Sequence, residues 1–540
     1  MNLSSHLMQR LMHLPPPATR DLTVERDLRV PMRDGAVLLA DRWRPASGGD
    51  DLPTLLIRTP YGRSGLVAHN MVRPLAERGY QVVALSTRGT FGSGGAFDPL
   101  RREREDGVDT LEWLVKQPWC GDAVVLYGMS YLGYAQWVVG DALPPQVKAI
   151  IPGVSESAFT LELVRKEAFS LEATLVWGLL VAEQERSFPL LRMALRTRKE
   201  RRAWPTLPLN RADTAAIGRP APYFQNVLDH DAASPYWQVL DHSARVSDIT
   251  VPVSTVGGWY DIFLPGQLRD YRTLREAGRT ARLTVGPWAH MSQSVGRAMV
   301  DEALDFGLAH ARDEEPSDRA PVRLYVMGEE KWREFPSWPP PGYEPQRFHL
   351  HPAGTLATDP PPASAPDTYH YDPADPTPTV GGVRMVVGVK AGGVDNTALE
   401  ARPDVLTYTT PVLDKDVEVI GEVSAEVFFR SSLPYADVFV RLCDVDGQGR
   451  STNVCDGLIS LTDADTTSCA TVTLWPTAHR FRAGHRIRVQ VSSGAFPRYN
   501  RNPGTGEPRA TATTLRAADQ QVFHDPACPS AVILPVRQAD

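Results

Sequence analysis

The segment Val124-Val125-Leu126-Tyr127-Gly128-Met129-Ser130-Tyr131-Leu132-Gly133-Tyr134-Ala135-Gln136-Trp137 constrains this chain more than any other. An apolar, β-branched run enters a Gly-x-Ser turn, and a helix-permissive stretch follows at once. Strand, sharp turn and helix are the parts of a nucleophile elbow. The small residue two before the serine lets the backbone turn steeply, and the hydroxyl is held clear of the sheet top. The helix N-terminus that follows brings backbone N–H groups and positive dipole to where an oxyanion would form. Ser130 is therefore the expected nucleophile. Gly62-Arg63-Ser64 is a chance rival in a chain with 41 glycines, but no strand-to-helix frame surrounds Ser64.

A serine nucleophile needs a base. In an open α/β sheet, reactive groups gather beyond the carboxyl ends of the strands. The strand-like run Arg282–Val285 leads into Gly286-Pro287-Trp288-Ala289-His290, and Val251–Val256 leads into Gly257-Gly258-Trp259-Tyr260-Asp261. The resulting order, Ser–Asp–His, is that of α/β-hydrolases. His290 is the expected general base, and Asp261 the group that fixes its tautomer. Alone, His290 reads equally as an interface histidine and Asp261 as a helix N-cap; together, at adjacent strand ends, they favour a triad. The backbone N–H of Tyr131 is one expected oxyanion donor. The second comes from the loop after an early strand, Ile57-Arg58-Thr59-Pro60-Tyr61-Gly62, where the Tyr61 phenol can serve; a packed aromatic is the alternative.

The rest of the chain must hold this site. A length of 540 residues exceeds one core and implies about two to four domains. Apolar runs at Thr54–Thr59, Gln81–Ser86, Val124–Tyr127, Val147–Pro152, Val251–Val256 and Ala281–Val285 are continuous rather than alternating. Strands buried on both faces of a parallel sheet have this pattern. With helix-like segments between them, such as Asp106–Gln117, they predict a doubly wound α/β sheet. Roughly a hundred residues separate Pro152 from Val251, far more than a crossover requires, and residues 154–246 read as a mostly helical cap. Residues 331–540 alternate short strands with turn signals, which predicts an all-β jelly roll or sandwich. The expected division is 1–153 with 247–330 as the sheet domain, 154–246 as cap and 331–540 as jelly roll. Residues 1–20 read as a loosely held arm, and the Pro-rich 352–382 as irregular.

Composition excludes several classes. A net charge of −7 with both signs interspersed gives no electrostatic case for nucleic acid or a membrane surface. No run reaches the roughly 18 apolar residues of a membrane span, and the N-terminus lacks the features of a secretory signal. Five cysteines without a C-x-x-C pair argue against a disulfide framework or zinc site, so a cytoplasmic protein without metal or cofactor is expected. Arg88–Gly95 is glycine-rich but lacks the Lys-Ser/Thr of a phosphate-binding loop. Asp444-Val445-Asp446-Gly447 reads as a hairpin turn, because the later ligands of a calcium loop are missing.

Several motifs resemble the CocE/NonD family of serine hydrolases, the cocaine esterase and glutaryl-7-ACA acylase group related to X-prolyl dipeptidyl aminopeptidases. They include Met32-Arg33-Asp34-Gly35, Arg58-Thr59-Pro60-Tyr61, Gln117-Pro118-Trp119-Cys120, Gly128–Gly133 and Gly258-Trp259-Tyr260-Asp261. Further along stand Gly286–His290, Tyr371-Asp372-Pro373-Ala374-Asp375-Pro376 and Arg498-Tyr499-Asn500-Arg501-Asn502-Pro503. The resemblance implies an α/β-hydrolase core, a helical cap, a C-terminal jelly roll and the Ser130–His290–Asp261 triad with Tyr61 and Tyr131 as oxyanion donors. It further implies an acyl pocket lined by Phe263, Trp177 and Trp259, and a homodimer is a family-level expectation. The sequence departs from the family at Phe91, where a glycine is more usual. Nor do the cap acids Glu156, Glu162, Glu167 and Glu172 form a clear carboxylate cluster for a substrate α-ammonium.

A serine hydrolase of small-acyl esters, and of amides by the same chemistry, is therefore expected. The alternatives are an X-prolyl dipeptidyl aminopeptidase or α-amino-acid ester hydrolase on the same triad, a biosynthetic acyltransferase, and a non-catalytic binding protein.

Overall fold

A computed structural model describes residues 3–48, 52–159, 169–186, 199–231, 233–385 and 389–538. The first sheet has ten strands: β1 (Leu22–Pro31), β2 (Val37–Pro45), β3 (Thr54–Thr59), β4 (Gln81–Ser86), β5 (Val124–Met129), β6 (Val147–Gly153), β7 (Val253–Tyr260), β8 (Ala281–Ala289), β9 (Val322–Val326) and β10 (Lys331–Phe335). Their order is β1-β2-β4-β3-β5-β6-β7-β8-β9-β10. Every pairing from β4 across to β9 is parallel, while β1–β2, β2–β4 and β9–β10 are antiparallel. All residues of β3, β4 and β7 are buried. Layers on both faces leave no polar side to these strands, which is why they read as unbroken apolar runs.

Helices cover the sheet where the spacing of apolar residues predicts. Glu103–Leu114 buries Asp106, Gly107, Thr110, Leu111 and Leu114, one face at helical period, with Gly107 and Leu111 beside Leu56 of β3 and Leu126 of β5. Between β6 and β7 lie the helices Leu171–Glu183, Ala212–Ile217 and Pro222–Leu228. In the first of these every residue from Leu171 to Leu179 is buried, as expected for a helix enclosed on all sides.

The C-terminal part is an all-β domain built on a second, 14-stranded sheet. A hairpin joins its longest strands, Ala436–Val445 and Ser451–Leu461. Its turn is closed by Gln448 N and Arg450 N, both donating to Asp446 Oδ1 at 2.9 and 3.0 Å. Together, the two sheets give an α/β-hydrolase-like core joined to an all-β domain.

Two segments differ from expectation. The N-terminal arm contains a helix, Leu3–Leu11, pinned where Ser5 Oγ donates 2.8 Å to the buried Glu77 carboxylate. Within 352–382, Asp367–Tyr371 forms a strand that pairs antiparallel with Ala518–Asp525 and turns Tyr369 and Tyr371 inward. Flanking prolines obscure so short an alternation.

Candidate active site

β5 delivers Ser130 into a turn with φ 57° and ψ −125°. A non-glycine residue held there costs on the order of 1–3 kcal/mol. The surroundings enforce it: Ser130 N donates to Gly153 O at 2.9 Å, and Gly133 N and Tyr134 N both donate to Ser130 O. The flanking glycines are needed for close approach. A Cβ on Gly128 would meet Leu132 Cβ at 2.4 Å, and one on Gly133 would meet Ser155 Oγ at 2.2 Å.

The next two groups arrive from the ends of β7 and β8. Ser130 Oγ lies 3.0 Å from His290 Nε2, and His290 Nδ1 lies 2.7 Å from Asp261 Oδ2. His290 and Asp261 are buried while Ser130 is half-buried, so the row opens at its serine end. The other carboxylate oxygen of Asp261 accepts from Phe263 N at 2.8 Å, and Phe263 is the N-cap of the helix Leu264–Glu276. The Asp261 carboxylate thus serves the loop and the imidazole rather than capping that helix.

Tyr61 and Tyr131 use their polar groups differently. Trp177 Nε1 donates to the Tyr61 hydroxyl at 2.9 Å, which leaves the phenolic proton available to another acceptor. Burial, partly offset by that indole bond, pushes the Tyr61 phenol up to about 12, so it keeps its proton across the neutral range. The Tyr131 side chain points away, its hydroxyl donating 2.8 Å to Glu103 Oε1 and accepting from Leu100 N. Glu103 is ion-paired with Arg58, whose Nη1 also donates to Ala135 O at 2.8 Å. Burial raises both the Tyr131 phenol and the Glu103 carboxyl. The side chain of Tyr131 is an anchor for the helix, while its N–H, first in that helix, has no intrahelical acceptor.

An aromatic cluster leads from the imidazole toward the helices between β6 and β7. Ring centroids lie 5.5 Å apart for His290–Phe263, 4.6 Å for Phe263–Phe159, 6.2 Å for Phe159–Trp177 and 4.4 Å for Trp177–Tyr223. Phe263 and Trp177 are the residues singled out from sequence. Trp259 is placed elsewhere: its indole donates 2.7 Å to Tyr325 O on β9 and its ring faces Trp338. It lies inside β7, and the strand turns it toward its neighbour rather than the row. Phe159, Tyr223 and Trp475, whose indole bonds the Asp261 backbone, are not singled out by sequence. Only their aromatic character signals them, since no motif or period marks these positions.

Of the four cap acids, Glu172 is buried and ion-paired with Arg384 of the all-β domain, Nε to Oε2 at 2.6 Å. Glu156 is buried with Arg269 at 3.7 Å, and Glu162 and Glu167 lie outside the described residues. Among the described residues, no three His, Cys, Asp or Glu side chains are grouped to hold a metal ion, and no helix is long and apolar enough to cross a membrane.

A hydroxyl, an imidazole and a carboxylate in a row at the carboxyl end of an α/β sheet define a serine hydrolase. Residues 34–292 match the model of the X-Pro dipeptidyl-peptidase (S15 family), and residues 316–533 match that of the X-Pro dipeptidyl-peptidase C-terminal non-catalytic domain. The chain is 32% identical to the cocaine esterase of Rhodococcus sp. (strain MB1 Bresler), over 95% of this chain and 98% of that protein. It therefore belongs to the CocE/NonD and X-Pro dipeptidyl-peptidase (S15) family of serine hydrolases. Its fold is also that of an alpha-amino acid ester hydrolase, with TM-score 0.82 and 21% identity, covering 97% of this chain and 98% of that one. An aminopeptidase from a marine sediment Thaumarchaeota archaeon shares it at TM-score 0.81 and 23% identity, with the same coverage.

Proposed function

We propose that the chain hydrolyses carboxylic esters of uncharged, apolar or aromatic acyl groups through an acyl-enzyme on Ser130. His290 Nε2 takes the Ser130 proton as Oγ attacks the ester carbonyl, and returns it to the leaving alcohol as the tetrahedral intermediate collapses. A water then repeats the sequence on the acyl-serine, with His290 again as base. Asp261 holds the imidazole in the tautomer that leaves Nε2 free to accept, and stabilises the imidazolium that forms. The Tyr61 hydroxyl and the Tyr131 N–H donate to the oxyanion; preorganised donors of this kind contribute several kcal/mol to the transition state.

The observation that carries this reading is the unbroken row of 3.0 and 2.7 Å contacts on a strained elbow. Its aromatic surroundings favour a ring-bearing or apolar acyl group, and the 32%-identical cocaine esterase supports ester rather than peptide cleavage. Glu172 argues against an α-ammonium subsite, because Arg384 already occupies its carboxylate. The test is a fluorophosphonate probe with a p-nitrophenyl ester panel, run on the chain and on Ser130→Ala. Labelling and turnover should vanish together in the variant; labelling that survives there would sink the mechanism.

A further inference from the structure

The loop that carries Asp261 is gripped from outside the sheet domain. Trp475 follows the strand Ser468–Thr473 of the all-β domain, yet its Nε1–H donates 2.9 Å to the backbone oxygen of Asp261. The other donor to that oxygen, Leu264 N, is 3.4 Å away, so the indole supplies the short bond. The neighbours of Asp261 touch the same domain. The Tyr260 hydroxyl donates to Asn453 O at 3.4 Å, and Ile262 lines a small space with Val383, Met385, Trp475 and Arg498.

Trp475 is itself immobilised. Its backbone N–H donates 3.0 Å to Asp456 O, and the Arg498 guanidinium lies over its ring at 5.0 Å. Arg498 is bonded to Asp456 Oδ1, while Arg441 donates 2.9 and 3.2 Å to Asp456 Oδ2. All three charges are buried. A buried ion cluster with a cation over the indole face leaves the ring one orientation, and that orientation aims its N–H at residue 261.

We propose that Trp475 is a positioning residue for the catalytic acid, through which the C-terminal domain fixes the peptide plane of Asp261 and so the alignment of its carboxylate on His290. This rests on the assignment of Asp261 as the orienting carboxylate. Asp261 N donates to Gly258 O at 2.9 Å, and the indole holds the same residue at its carbonyl; displacements near 1 Å at a catalytic group cost up to about a hundredfold in rate. A donor at the carbonyl restrains the peptide without touching the reacting atoms.

The test is Trp475→Phe, which keeps an aromatic ring under Arg498 and removes the N–H. With a p-nitrophenyl ester, kcat should fall about tenfold while KM stays within about twofold, and the unfolding midpoint should barely move. The far-downfield proton resonance of the His290–Asp261 hydrogen bond should shift or broaden. Unchanged kcat and resonance in the folded variant would overturn the proposal, as would a rise in KM matching the fall in kcat. If Trp475→Phe does not fold, benzothienylalanine at 475, which keeps the bicyclic shape and replaces N–H with sulfur, takes its place under the same outcomes. Asp261→Asn in the same assay separates the two claims. Full activity there removes the parent assignment, whereas an inactive Asp261→Asn beside an unaffected Trp475→Phe removes only the brace.

Discussion

Among the described residues, serine, histidine and aspartate fall in a row in two places, and the two differ in what they offer a substrate. In the all-β domain, Ser364 Oγ lies 2.8 Å from His524 Nδ1, and His524 Nε2 lies 3.0 Å from Asp367 Oδ2. By distance this row matches Ser130–His290–Asp261. Backbone and proton direction separate them. Ser130 stands at positive φ at the head of a helix; Ser364 sits in a loop of alanines and prolines that leads into a strand. Ser364 Oγ also donates to His524 O at 3.2 Å, which ties its proton to a backbone carbonyl. The hydrogen bond to the Asp367 carboxylate raises the His524 pKa, which favours the imidazolium, a form that can only donate to the serine. Three residues in contact become a nucleophile only when the histidine is free to accept and donors await the oxyanion.

The two rows should differ most at their serines. Ser130→Ala should lower ester turnover by about 10^6-fold, the scale seen when a triad serine is removed, while Ser364→Ala should leave turnover within about twofold. Mass-spectrometric detection of a fluorophosphonate adduct on Ser364 would erase the distinction. A step smaller, Asp261→Asn should cost about 10^4-fold in kcat by favouring the wrong imidazole tautomer; Asp367→Asn should leave kcat intact. Smaller still, Tyr61→Phe should cost about 10^2- to 10^3-fold in kcat. If the phenol is only packing against Trp177, kcat will hold.

The same contrast explains what could be read in the sequence. Ser130, Asp261 and His290 were legible because each lies directly after an apolar strand, and parallel strands buried on both faces announce themselves as continuous runs. Tyr61 has an equally local position, two residues after the end of β3. What depends on side-chain direction or on the far domain was not legible. Trp259 sits two residues from Asp261 but faces β9, and nothing local says so. Phe159 and Tyr223 meet Trp177 and Phe263 only through the packing of the helices between β6 and β7. Trp475 reaches the acid loop across 214 residues of chain. The second row was hidden for the same reason: a Pro-rich stretch conceals the short strand that brings Asp367 to His524.

The smallest expected effect concerns stability rather than rate, and it follows from the charge of the second row. The folded His524 pKa is raised, first by its hydrogen bond to Asp367. Its stabilisation is therefore fully present below the unfolded histidine value of about 6.5 and is lost as pH rises through the folded value. Asp367 is held below the usual carboxylate range, first by His524 and also by the Tyr408 hydroxyl, against burial. Its share is present above an unfolded value of about 3.9 and is lost as pH falls through the folded one. The pair thus contributes most between about pH 4 and 6.5. His524→Gln should lower the unfolding midpoint near pH 5.5 by roughly 2 °C more than at pH 9, a modest gap because the Asp367 side chain is 35% exposed. Calorimetric scans of both proteins across that range measure the gap. A deficit of equal size at every pH would mean that His524 contributes packing alone, and the charge argument that separates Ser364 from Ser130 would lose its footing.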